Sequence, residues 1–384
     1  MINLVTDNID TEDISELIEW LKTNPRLTKG ELTEEFEQKW ADAIGVNHAV
    51  FVNSGSSANL LMLYTLIADG KIKPGDSVVV PTLSWATDIA PVVQLGLRPV
   101  LCDCNMNDLS LDIDNLRGIL ESTDNVKAVL LVSVLGLVPD MNRIREVCNT
   151  YDVILLEDCC ESLGSCDGGV RLGSFGLMSS FSTYFGHHLS TIEGGVVCTN
   201  DRHAYNTLKS LRSHGWDRDL DRDYKSALRA EWDVSDFEAL YTFYNFGFNC
   251  RPTDLQAKLG LRQLDKLDDI IEKRATNYYT IRAGLRVDLW KPANNGWAYE
   301  SNFAYPVITQ NRDRLVAGLV DNNIECRPLL SRSMGQQPVY IKHFGEYRLP
   351  NAERINREGL YVPNNQHLTG EELSTIIETI NQYA

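Results

Sequence analysis

The chain has 384 residues, 43% of them hydrophobic and 23% charged, enough for two or three domains around at least one large core and incompatible with a disulfide-stapled miniprotein or a wholly disordered chain. With 36 Lys plus Arg against 53 Asp plus Glu, the formal net charge is −17, which repels a phosphate backbone and argues against a nucleic-acid partner. The opening residues do not pass from a basic to an apolar stretch as a signal peptide does, and no apolar run approaches the ~20 residues that span a bilayer. Nine cysteines, odd in number and mostly in strand-like stretches, read as reduced thiols of a cytoplasmic protein. The spacings of Cys102, Cys104, Cys159, Cys160 and Cys166 do not form the paired knuckles of a zinc site.

In chain order, β-branched runs at 48–52, 77–81, 98–103, 127–133, 152–158 and 194–199 alternate with helix-like segments starting near Ser57, Ala86, Asp112 and Asp140. Strands apolar on both faces, taking turns with helices, predict an α/β fold with a mostly parallel sheet covered on each side. Ligands of such sheets bind beyond the carboxyl ends of the strands. The stretch 217–240 is rich in charge with interspersed Trp and Leu, and reads equally as an ordered lid or a solvated loop. A long helical pattern runs from Thr253 to about Leu285. A smaller α/β unit follows, with a strand at 301–308 and helices near 311–322 and 370–382. The expected division is residues 1–252 as an N-terminal segment and large domain, and 253–384 as a linking helix and small C-terminal domain.

Three segments carry chemistry. NSGSSANLL at 53–61 follows a strand and opens a helix; its small residues let backbone N–H groups approach an anion, and Ser56 and Ser57 add hydroxyl donors at the positive helix end. This is a phosphate cradle without the lysine of a P-loop, and a simple Ser cap after a tight turn is its alternative. In LLEDCCESLG at 155–164, Asp158 ends an apolar strand, where a buried carboxylate needs a cation or a hydrogen-bond donor. A protonated pyridine nitrogen satisfies it, as in enzymes that use pyridoxal phosphate (PLP); a strand-end Asp capping the next turn is the plainer reading. Trp85, in PTLSWATD, is placed to stack on a flat ring between these groups or to join the core.

Together with SSFSTYFGHHLSTIEGG at 179–195 and FGFNCRP at 246–252, the order of these motifs resembles the DegT/StrS family of PLP-dependent nucleotide-sugar aminotransferases over nearly the whole chain. The resemblance implies an aspartate aminotransferase-like large domain with a mostly parallel seven-stranded sheet, and a homodimer with its sites at the subunit interface. It implies that Ser182 donates to the coenzyme phosphate, that Asn249 reaches the phosphate in the neighbouring subunit, and that Glu161 contacts the ring hydroxyl or the sugar. Arg251 and Arg327 are candidates for the carboxylate of glutamate or the sugar diphosphate, or for plain ion pairs. His214 either assists proton transfer, binds substrate or is a surface histidine.

The departure from the family pattern decides the function. The Schiff-base lysine ordinarily stands six residues before the Glu of a Gly-Glu-Gly-Gly segment, and six residues before Glu193 stands His187. No lysine occurs between Lys127 and Lys209. Imidazole cannot tether the coenzyme, yet it moves protons near neutral pH. This exchange resembles the family's 3-dehydratases, which remove the C3 hydroxyl of a nucleotide-linked 4-keto-6-deoxy sugar using pyridoxamine phosphate (PMP). An iron-sulfur type carries a Cys-x-Cys pair after the Glu-Gly-Gly segment; residues 199–249 hold no cysteine, so no cluster is expected. The other type, to which this sequence is similar, acts on a GDP-linked 4-keto-6-deoxymannose with L-glutamate. It releases ammonia and a 4-keto-3,6-dideoxy sugar, in dideoxysugar and O-antigen biosynthesis. His187 is the expected base, with His188 as the fallback if the register slips by one. A nucleotide-sugar aminotransferase and a non-catalytic coenzyme- or sugar-nucleotide-binding protein are the alternatives.

Overall fold

The computed structural model describes residues 1–293 and 296–384. The main sheet has seven strands: β1 (His48–Val52), β2 (Ser77–Pro81), β3 (Arg98–Cys102), β4 (Val126–Val132), β5 (Ile154–Asp158), β6 (Met178–Ser182) and β7 (Gly195–Thr199). Their spatial order is β1-β7-β6-β5-β4-β2-β3. The pairs from β3 to β6 are parallel, whereas β7 runs antiparallel to both neighbours. Side chains alternate cleanly. Phe51, Val79, Val129, Leu131 and Phe181 enter one buried cluster, and Val50, Val52, Val78, Val80 and Leu130 enter the other, so both faces are covered and the strands read as continuous apolar runs.

Helices α1 (Thr11–Leu21) and α2 (Glu31–Ile44) precede the sheet; α3 (Gly55–Ala68), α4 (Ala86–Gln94), α5 (Ile113–Ser122) and α6 (Met141–Thr150) follow β1 to β4 in turn, and α7 (Arg202–Arg212) follows β7. Ser54, Asp112 and Asp140 are the N-caps of α3, α5 and α6, which is why the expected starts fall within two residues of the observed ones. Strand β6 escaped the pattern reading because its sequence is mostly serine. It is buried all the same, since the Ser179 hydroxyl donates to Gly173 O (2.6 Å) and the Ser180 hydroxyl to Asn59 Oδ1 (2.5 Å).

The stretch 217–240 contains a helix, α8 (Arg222–Glu231), with no buried residue. It is tied down by Arg202 to Asp221 (2.9 Å) and Asp223 (2.6 Å) and by Arg229 to Asp217 (2.6 Å). The single long helix expected from Thr253 is two, α9 (Asp254–Leu264) and α10 (Leu267–Gly284). At the break, Lys266 turns to Asp10 (2.7 Å) and Asp13 (2.8 Å) at the start of α1. Beyond α10, strands β8 (Ala304–Ile308), β9 (Arg327–Pro328) and β10 (Gly359–Pro363) form an antiparallel sheet in the order β8-β10-β9. The strand expected from 301 starts three residues later because the carbonyls of Ser301 and Asn302 point to His188 and Arg274.

Glu37 of α2 locks β1, and hence the phosphate-cradle turn that follows it. Its carboxylate accepts the Phe51 N–H (2.7 Å) and pairs with the guanidinium of Arg212, which also donates to Phe51 O (2.8 Å). Arg212 is wholly buried, and its second acidic contact, Asp219, lies 3.5 Å away. Removing one partner of a buried ion pair strands the other charge. Glu37→Ala is therefore expected to lower the unfolding free energy by about 3–5 kcal/mol in denaturant titration; a loss below about 1 kcal/mol contradicts this role.

Candidate active site

The carboxyl ends of β1, β4, β5 and β6 open into a cavity of about 740 Å³. Ser54, Gly55 and Ser56 line it from the start of α3, Trp85 and Asp88 from α4, Asp158, Cys160 and Glu161 from the end of β5, and Ser182 from β6. The loop after β6 contributes Tyr184 to His187, and the C-terminal sheet contributes Phe303, Arg327 and Tyr361. Of the sequence-derived candidates, Ser56, Trp85, Asp158, Glu161, Ser182, His187 and Arg327 meet in this one space.

The cradle is built by close backbone approach. A Cβ on Gly55 would stand 2.8 Å from the Ser182 Cβ, and one on Gly195 2.4 Å from the Ser54 carbonyl, so α3 seats its first turn against the tips of β6 and β7 only because both positions are glycine. The Ser54 hydroxyl caps Ser57 N (3.1 Å), leaving the first-turn amides of Gly55 and Ser56 as donors that a helix cannot satisfy internally. Ser57 therefore spends its amide on the cap, accepts from the Ser54 hydroxyl (3.0 Å), and does not line the cavity.

At the opposite end, Asp158 is buried, its Oδ1 accepting Cys160 N (2.9 Å) and its Oδ2 the Asn59 amide (2.6 Å). Trp85 is 58% exposed and presents its indole to the same space rather than to the core. Glu161 accepts the Leu135 N–H at 2.8 Å. Burial, reinforced by Asp158 and only partly offset by that bond, pushes its carboxyl up to about 8, so it is an acid that can donate to a ring hydroxyl or sugar.

The two adjacent histidines part company. Buried Asn8 donates to the His187 carbonyl (3.1 Å) and the His188 carbonyl (3.0 Å), fixing the backbone from which the two rings reach different surroundings. His188 is fully buried with Nε2 on Ser301 O at 2.9 Å. His187 lines the cavity, packs on Phe303 with ring centroids 5.4 Å apart, and keeps Nδ1 unpartnered. Burial lowers its basicity to about 4; Asp158 pulls the other way and the Arg274 guanidinium adds to the depression. A ring with so low a pKa is neutral at pH 7, the form in which it accepts a proton. Arg274 itself is buried and, among the described residues, bonds only carbonyls and an amide, namely Asn302 O (3.3 Å), Phe303 O (3.0 Å), Asn364 O (3.3 Å) and Gln366 Oε1 (2.9 Å).

His214, Asn249 and Arg251 form a separate group outside this cavity. Arg251 donates to Asn249 Oδ1 (3.0 Å) and lies 3.5 Å from His214 Nε2. Arg327 is half exposed at the cavity mouth and paired with Glu325. Asn8, Asn59, Asp88 and Arg274 were not singled out from sequence. Asn59 and Asp88 stood inside SGSSAN and SWATD, where an amide and an acid near the starts of two consecutive helices are the available signal. Cys102 and Cys104 enter different core clusters.

Sheet order, the Asp158 strand end and the cradle define an aspartate aminotransferase-like PLP-enzyme fold. The chain belongs to the DegT/DnrJ/EryC1/StrS aminotransferase family, which it matches over residues 7–381. It is 32% identical to the GDP-4-keto-6-deoxy-D-mannose 3-dehydratase of Escherichia coli O55:H7 over 99% of this chain and 100% of that protein. The enzyme of the same description from Yersinia pseudotuberculosis is 31% identical, over 100% of this chain and 99% of that one. A solved GDP-4-keto-6-deoxymannose-3-dehydratase with a trapped PLP-glutamate geminal diamine superposes with a TM-score of 0.90 at 31% identity, covering 99% of this chain and 100% of that one.

The Glu161 carboxyl links stability to pH. In the coenzyme-free protein it keeps its proton to about pH 8, while the unfolded chain releases it near its ordinary 4.5. Folding thus takes up a proton between those values, and this contribution is lost as pH rises through the window. Glu161→Gln is expected to match the parent near pH 4.5 and to exceed it increasingly toward pH 8, by at most about 1.4 kcal/mol per pH unit. Parallel thermal-stability curves for the two proteins contradict the assignment.

Proposed function

We propose that this chain is a PLP/PMP-dependent nucleotide-sugar 3-dehydratase that removes the C3 hydroxyl of GDP-4-keto-6-deoxymannose. L-Glutamate is the amine donor and two-electron reductant; 2-oxoglutarate, ammonia and the GDP-linked 4-keto-3,6-dideoxy sugar are the products. The observation that carries this reading is the imidazole of His187 in a PLP-type cavity that, among the described residues, no lysine lines. The similarity to two 3-dehydratases across the full chain supports it.

The residues present fit the coenzyme. Asp158 would receive the ring nitrogen, Trp85 would cover one ring face, and the first turn of α3 with Ser56 and Ser182 would hold the phosphate. When bound, the coenzyme supplies an amine for the C4 ketone and an electron sink that allows the C3 hydroxide to leave. His187 would take the proton from the coenzyme's C4′ carbon and return it to the departing hydroxyl. Being an imidazole, it cannot recapture the coenzyme covalently, so the reaction proceeds to deoxygenation instead of amination. Buried Asp158 holds the ring nitrogen protonated, and protonated Glu161 donates to the ring hydroxyl or sugar. Arg327 at the mouth faces the diphosphate or the glutamate carboxylate.

We assign Asn249, Arg251 and His214 to the site of a second copy of the chain. Beside them Phe243, Tyr241 and Phe246 are exposed, Phe246 by 92%, a surface that a dimer partner would cover. Nine free thiols support residence in the reducing cytoplasm, and among the described residues no helix is long and apolar enough to cross a membrane.

The test supplies PLP, glutamate and a panel of GDP-, CDP- and dTDP-linked 4-keto-6-deoxyhexoses, and follows ammonia and the sugar product. Ammonia with a 3-deoxy sugar, best from the GDP substrate and reduced about 10²–10⁴-fold in His187→Asn, is expected. An amino sugar as product supports an aminotransferase instead, and no turnover of any substrate supports a binding protein.

A further inference from the structure

Asp88 occupies the first turn of α4, where an acid is sufficiently explained by capping, since its Oδ2 accepts Trp85 N at 2.9 Å. Its other oxygen needs a different explanation. Asp88 is 1% exposed yet lines the cavity, and its Oδ1 accepts from the Asn59 side chain (3.1 Å), whose same nitrogen donates to Asp158 Oδ2 (2.6 Å). Two carboxyl groups converge on one amide. The remaining groups that face them are the Glu161 carboxyl, the Cys160 thiol, the Thr87 carbonyl (3.3 Å from Asn59 Nδ2) and, across the cavity, His187. Among the described residues neither Asp88 nor Asp158 is in an ion pair with a lysine or arginine.

Two neighbouring carboxylates without a cation do not both ionise in a dry site, so the pair retains a proton. Hydrogen bonding and burial decide where it sits. Asp158 has the shorter bond from Asn59 and a second from Cys160 N, both favouring its charged form. Asp88 also has two donors, the longer bond from Asn59 and the Trp85 N–H, but its deeper burial, together with Asp158, outweighs them and raises its carboxyl well above the ordinary range.

Resting on the PLP/PMP reading of the cavity, we propose that Asp88 is a positioning residue, a neutral acid hydrogen-bonded to Asp158. It leaves Asp158 the negative charge for the ring nitrogen and couples that carboxylate, through α4, to the indole over the ring. Its two oxygens are taken by Asn59 and the Trp85 amide, so it acts through Asn59, Asp158 and the Trp85 backbone. The Ser180 hydroxyl on Asn59 Oδ1 (2.5 Å) completes the chain by fixing which end of the amide faces the acids.

Asp88→Asn imitates the protonated acid, and Asp88→Ala removes the link. In the coenzyme-free protein, the shared proton makes stability fall as pH rises above the unfolded-state value of 3.8, and Asp88→Asn is expected to flatten that fall between pH 5 and 9. The Asn variant is expected to bind pyridoxamine phosphate within about fivefold of the parent with an unchanged absorbance maximum, and the Ala variant at least about tenfold more weakly. Parallel pH–stability curves for parent and Asp88→Asn, weakening of the Asn variant beyond about fivefold, or parent-like binding by the Ala variant overturns the proposal. If Asp88→Ala does not fold, the two Asn measurements decide. Failure of the parent itself to bind pyridoxamine phosphate sinks the coenzyme reading instead, and the pH–stability comparison still tests the shared proton.

Discussion

A carboxylate buried at the tip of a central strand is the constraint around which this molecule is organised. Asp158 ends β5 with the Cys160 amide and the Asn59 side chain as its donors, and neither neutralises it. An unpaired buried charge is costly, so the site calls for a cation that the described protein residues do not supply. A protonated pyridine ring fits that need, with the cradle of α3 at the other end of the cavity suited to its phosphate. The long-range links of the fold hold these ends in place. Glu37 and Arg212 set the strand that leads into the cradle, and Asn59 joins α3 to β5.

The second constraint is the backbone between Tyr184 and Ser190. Asn8, far away in sequence, grips two consecutive carbonyls and so separates two chemically identical side chains. One becomes part of the interior, bonded to Ser301 O. The other enters the cavity, where burial and the Arg274 guanidinium keep it neutral. Two neighbouring histidines thereby acquire different roles through their surroundings, as pairs of titratable groups do when burial and charge push them apart.

Much of this was legible in the sequence. Short β-branched apolar runs located six strands of the main sheet, and short motifs located the cradle, Asp158, Trp85 and His187, because each depends on residues close together in the chain. Strand β6 was hidden by its serines, whose burial depends on partners at Gly173 and Asn59. The break between α9 and α10 was hidden because Lys266 turns to Asp10 and Asp13, over 250 residues away. Asn8, Asn59, Asp88 and Arg274 escaped for the same reason, since their significance lies in contacts between distant segments. His187 could not be told from His188 until Asn8 and Ser301 were in place. His214, Asn249 and Arg251, grouped by motif with the coenzyme site, lie outside the cavity of their own chain.

The proposed chemistry turns on an imidazole standing where a primary amine would anchor the coenzyme. The most direct measurement is the intact mass of the PLP-loaded protein, denatured after borohydride reduction. The parent should return its unmodified mass, whereas His187→Lys should gain one coenzyme; a coenzyme-sized increment on the parent would contradict the central claim.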